Sequence, residues 1–190
     1  MTDRDPTPDI QLHAGDFASW LVEIRGAIRG DNPSDVPCGS CTACCTASQF
    51  IHIAPDETDA LAHIPSALLF PAPLLPRGHV LMGYNERGQC PMLIDNRCSI
   101  YEHRPRTCRT YDCRVFAATG LEPDDDKILI AQQARRWRFT FATQADHDAY
   151  HALCTTAIRL RLNPSELPQD ISPSNTTQIA IHAIEITDTH

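Results

Sequence analysis

Four thiols fall within eight residues at Cys38-Gly39-Ser40-Cys41-Thr42-Ala43-Cys44-Cys45, and four more follow at Cys90, Cys98, Cys108 and Cys113. Only Cys154 stands apart. Cysteine at this density is ligand, disulfide or reactive thiol, and the choice constrains the whole chain. If the octet is helical, Cys38, Cys41 and Cys45 fall on one face, with Cys44 farther round. If it is a knuckle-like turn, Cys38 and Cys41 converge as a C-x2-C chelate. The adjacent Cys44-Cys45 pair is awkward for one tetrahedral ion, so one of the two is expected to belong to a second site or only to pack.

The compartment bears on that choice. The N-terminal stretch has no basic, apolar and small-residue succession of a secretory signal. The most apolar window, 64–83, is broken by four prolines, Arg77 and His79, so it makes a poor membrane span. The expected location is cytoplasmic, where thiols at motif spacing bind metal or do redox work more often than they cross-link. At a formal charge of −8 the chain lacks the cationic excess that phosphate contacts need, so no nucleic acid is expected as a partner. A chain of 190 residues that is 42% hydrophobic can bury a core without staples merely to fold.

Read in order, residues 1–15 are expected to be a flexible lead-in. Asp16 caps an amphipathic helix through Phe17, Trp20, Leu21, Ile24 and Ile28 that stops at Gly30. Gln49 to Ile53 reads as a strand, and Pro55-Asp56-Glu57 opens a short helix to His63. Residues 64–78 read as a Pro-rich loop, either a pocket wall or a cover for the core. Val80 to Tyr84 reads as a strand. A β-hairpin about Asp95-Asn96 is expected to bring Cys90 and Cys98 to neighbouring ladder positions. Pro105 suits a helix start with Cys108 one turn on. Helices are expected from Pro123 to about Arg138 and from Asp146 to Asn163-Pro164, and Gln178 to Ile186 reads as a final strand. The fold class is α+β, a small cysteine-cluster metal-binding core with a β-hairpin, flanked by amphipathic helices. It spans 16–162, with the motif core at 38–114, a helical part at 124–162 and a C-terminal linker and tail at 163–190. No internal repeat is evident.

Metal binding is the favoured reading of the eight thiols, against a disulfide or redox switch and against packing. Thiolates are soft donors that hold Zn²⁺ or iron–sulfur clusters. Arg104, Arg106 and Arg109 crowd around Cys108 and are expected to support the centre from behind by offsetting thiolate charge. Arg97 and Arg114 are as readily solvated surface. Cys154 lies on the apolar face of a helix and reads as core. His52 and His103 are the histidines nearest the cysteines and could replace a ligand, although exposure or packing is the plainer expectation for each.

The combined motifs resemble the CxxCxxCC family, labelled YkgJ-like and described as a zinc- or iron-chelating domain. They run from Cys38-x2-Cys41-x2-Cys44-Cys45 through Gly88-Gln89-Cys90-Pro91-Met92-Leu93 and Arg97-Cys98-Ser99-Ile100-Tyr101 to Arg104-Pro105-Arg106-Thr107-Cys108-Arg109 and Tyr111-x-Cys113. The resemblance covers about 38–114, and the family's eight cysteines map without gaps onto Cys38, Cys41, Cys44, Cys45, Cys90, Cys98, Cys108 and Cys113. It implies a bound iron–sulfur cluster or zinc, with the metal ion as partner, and fixes no reaction. One similar branch, flagellin lysine-N-methylase, uses an iron–sulfur cluster. An iron–sulfur enzyme such as a protein-lysine methyltransferase is therefore one alternative, and metal storage or delivery is another.

Overall fold

Asp16 ends one element and starts the next. Its carboxylate accepts from the Ser19 N–H at 2.9 Å and the Ser19 hydroxyl at 2.8 Å, so strand β1 (Leu12–Asp16) passes directly into helix α1 (Phe17–Arg29). The computed structural model describes residues 10–34, 36 and 38–187. Within them both helices and strands occur, the strands in three small sheets, as an α+β fold requires. No described helix is long and apolar enough to cross a membrane.

The chain divides into two units. Among the described residues, one comprises 10–25, 113–125 and 131–187. Here β1 pairs in parallel with β7 (Trp137–Thr140), Leu12 opposite Trp137. Helices α4 (Arg114–Thr119), α6 (Gln144–Leu162) and α7 (Thr176–Ile186) pack on one another. Phe17 and Trp20 are buried and meet Phe139 at ring separations of 5.5 and 4.9 Å, while Tyr150 stands edge-on to Phe17 at 5.4 Å. Leu153, Ala157, Leu160, Ile179, Ala183 and Ile184 complete the core. Thr143 and Asp146 form a reciprocal capping box that starts α6.

The second unit comprises 26–112 and 126–130. Its largest sheet is antiparallel, β2 (Ile51–Ile53), β4 (Val80–Met82) and β3 (Leu69–Pro71) in that spatial order, with Met82 opposite both Ile51 and Leu69. A hairpin of β5 (Leu93–Ile94) and β6 (Arg97–Cys98) turns at Asp95 and Asn96, both at positive φ, as a tight two-residue turn demands. Helices α2 (Thr58–His63) and α3 (Arg106–Thr110) are short. The core is small: Ile53, Ala60, Ile64, Met82, Met92 and Ile100, with Cys90 and Cys98 packed against it.

Several expectations are corrected. Residues 1–9 of the expected lead-in lie outside the described residues, and Leu12–Asp16 form a strand whose partner is over 120 residues away, beyond local pattern. Residues 64–78 contain a 3-10 turn at Ser66–Leu68 and strand β3, and Ile64, Leu68 and Leu69 cover the core. Only helix α5 (Ile128–Ala134) forms within 123–138, because Trp137 turns inward as part of β7. The segment read as a final strand is helix α7. Asn175 caps it by accepting from the Gln178 N–H at 3.1 Å, and Ile179, Ala180, Ala183 and Ile184 bury one helical face. Burial there outweighs the strand preference of its isoleucines.

Candidate metal centre

The second unit gathers its thiols with main-chain bonds. The octet turns at Cys38, where the Cys41 N–H donates to the Cys38 carbonyl at 2.9 Å, and closes in a 3-10 turn at Cys44–Thr46. From there the Cys90 N–H reaches back to the Cys45 carbonyl at 2.7 Å. Gly88 makes that approach possible. Its φ is +73°, and a Cβ there would stand 2.3 Å from Ser48 Oγ. The Asn85 carboxamide holds the same turn by accepting from the N–H groups of Arg87 and Gln89.

Cys90 does not share the hairpin ladder with Cys98 as expected. Cys98 lies opposite Leu93, and Cys90 sits one turn before the strand, its carbonyl accepting from the Leu93 N–H at 3.0 Å. The two thiols still repel each other if ionised. Cys108 comes from α3, which two groups pin in place. The Thr107 hydroxyl donates to the His52 carbonyl at 2.7 Å. The buried Glu57 carboxylate accepts from the Ala54 N–H at 2.9 Å and from the Arg106 N–H. Sequence reading treated Glu57 only as a first-turn acid. Its second partner lies 49 residues on, which no local signal carries.

Like-charge repulsion acts in every pairing among Cys45, Cys90, Cys98 and Cys108. Burial pushes the Cys45 thiol up to about 11, and Cys90, Cys98, Cys41 and Cys38 add to it. Burial pushes Cys108 up to about 12, Cys90, Cys45 and Cys98 add to it, and Arg104 opposes. Burial raises Cys90 as well, while N–H donors at Met92 and Leu93 pull it back. Four half-buried thiols within reach of one another, of which Cys45, Cys90 and Cys108 resist ionising without a cation, are a donor set suited to soft metal. No disulfide joins the nine cysteines. Among the described residues, no three thiols of this unit have sulfurs all within 4.8 Å of one another.

The other expected residues fall as follows. Cys38 is exposed, and Cys41 and Cys44 are intermediate. Cys113 lies in the first unit, buried, its sulfur accepting from the Trp137 indole N–H at 3.2 Å. Cys154 also lies in that unit and donates to the Ala118 carbonyl at 3.4 Å. Arg104 stacks on the Tyr101 ring at 3.7 Å and is the arginine whose charge reaches Cys108. Arg106 pairs with Asp56 at 2.8 Å, and Arg109 acts on Asp59. His52 contacts His79 at 2.9 Å.

The family model for CxxCxxCC, a "Putative zinc- or iron-chelating domain", matches residues 37–134. The chain belongs to the CxxCxxCC family. That match takes in all eight motif cysteines and assigns zinc or iron binding, in line with the soft donor set. No curated protein and no solved structure gives a significant match.

Proposed function

We propose that this CxxCxxCC domain is cytoplasmic and holds an iron–sulfur cluster, with Cys45, Cys90, Cys98 and Cys108 as its nearest ligands. Cys38, Cys41 and Cys44 of the same unit complete the ligand set on the family spacing. The observation that carries this reading is the number of thiols that act on one another. Cys45, Cys90, Cys98 and Cys108 interact in every pairing, and Cys38 and Cys41 act on Cys45 as well. Six thiols exceed the four donors that one tetrahedral zinc takes, and a polynuclear centre can use more of them.

When bound, a cluster supplies electron transfer or a Lewis-acidic iron. The chain's own residues do the rest. The small apolar core at Met92 and Ile100 keeps water from one side of the thiols. The Met92 and Leu93 N–H groups bond to the Cys90 sulfur and favour its thiolate form. Arg104 offsets negative charge at Cys108, and Arg106 and Arg109 support the same segment. A delivery role is the second reading. It is favoured by the exposure gradient from Cys38 at the surface to the more buried Cys108, which would let metal load and leave at one edge.

Protein purified without oxygen is expected to carry iron and acid-labile sulfide. One zinc per chain without sulfide would overturn the cluster reading, and iron lost to a competing chelator with the fold intact would favour delivery.

A further inference from the structure

The second unit carries another group of ligating side chains, built without sulfur. Asp59 and His63 are one helical turn apart on α2 and so share a face. His103 ends the 3-10 turn Tyr101–His103. The three offer ligand atoms all within 4.8 Å of one another, and the imidazole rings stack at 3.5 Å and 4°.

The hydrogen bonds fix both rings in the same tautomer. His103 Nδ1 lies 2.9 Å from the Asp59 carboxylate, and His63 Nδ1 lies 2.9 Å from the Asp59 main-chain carbonyl. Neither oxygen can donate, so both Nδ1 atoms face Asp59 as donors, and a cation in that place would take the Nδ1 lone pairs, with the ring proton carried on Nε2 instead. The His103 hydrogen bond holds the Asp59 carboxyl below its usual value, so it stays an acceptor at neutral pH. Each of the three side chains is at least 39% exposed, so water can complete the coordination.

We propose that Asp59, His63 and His103 form a second, solvent-facing site for a borderline divalent cation of the Zn²⁺ class, separate in chemistry from the thiols. Binding needs the rings to splay from their stack, which their exposure permits. The site would be exchangeable, with one carboxylate, two protein nitrogens and open positions.

The test uses untagged full chain, prepared without oxygen with its own metal, and Zn²⁺ as the probe. Equilibrium dialysis is expected to give one more zinc per chain in the wild type than in the H63A/H103A double variant, with equal iron in both. Asp59→Asn is expected to weaken that equivalent by about 10–100-fold. Equal zinc uptake by wild type and double variant would overturn the proposal. A variant-free check is ¹⁵N NMR of the wild-type imidazoles: Nδ1 of His63 and His103 should move with zinc, with the ring proton on Nε2. Unmoved Nδ1 signals would overturn it equally.

Discussion

The unit built from 10–25, 113–125 and 131–187 buries whole aromatic rings, whereas the unit built from 26–112 and 126–130 buries aliphatic side chains and partly buries its thiols. In the first, Phe17, Trp20, Trp137, Leu153 and Leu160 are almost fully out of water, and each contributes about 1.5–3 kcal/mol by burial. In the second, the core holds no aromatic ring, its strands are two or three residues long, and Phe50, Phe70 and Tyr84 remain exposed. The second has less apolar burial to hold it, and its thiols stand where a metal can add cross-links.

The largest expected effect breaks this comparison outright. Stripping metal with a chelator, without oxygen, should lower hydrogen-exchange protection in β2, β4 and the hairpin far more than in α6 and α7. Metal binding can carry about 10–16 kcal/mol of folding free energy in such sites. Uniform loss in both units, or loss in neither, would erase the distinction. Next, Cys45→Ser and Cys108→Ser should each lower bound metal at least about tenfold by direct metal analysis, since each removes a thiolate donor. Cys154→Ala should leave metal content unchanged. The converse change, Leu153→Ala in α6, should cost about 2–5 kcal/mol in denaturant melts through the cavity it opens, with metal content intact.

Smaller effects sharpen the contrast. In the metal-free protein, burial raises the Cys45 and Cys108 thiols from an unfolded value of 9.0 to about 11 and about 12. The folded state therefore holds more protons than the unfolded state between those values. Its stability is full below about pH 9 and falls as pH rises toward 11–12, by on the order of 2 kcal/mol after discounting partial exposure. Bound metal should remove that slope, because coordinated thiolates no longer take up protons. Urea melts at pH 7.5 and pH 10.5, with and without metal, check it. Smallest of all, Thr143→Ala should cost about 1 kcal/mol through the lost α6 cap, again without moving metal content.

What could be read from residues alone follows the same divide. The thiols announce themselves by type and spacing, so the metal class was legible at Cys38, Cys41 and Cys45 before any fold. The α6 boundary at Asn163-Pro164 and the hairpin at Asp95-Asn96 were legible because their determinants are local. The grouping of Cys45 with Cys90, Cys98 and Cys108 was not, since it rests on a main-chain bond between Cys90 and Cys45 and on Glu57 fastening α3. The β1–β7 pair was hidden for the same reason. Helix α7 was misread because isoleucine at helical spacing also satisfies a strand preference. The Asp59–His63 spacing was visible in the sequence, but His103 joins them only through the fold.

The most direct test is X-ray absorption at the metal edge on protein isolated without oxygen. The account predicts an all-sulfur ligand environment together with scattering from a neighbouring metal, and loss of both in the variant with Cys45, Cys90, Cys98 and Cys108 replaced by serine. A lone metal with nitrogen or oxygen ligands, or a sulfur environment that survives that replacement, would contradict it.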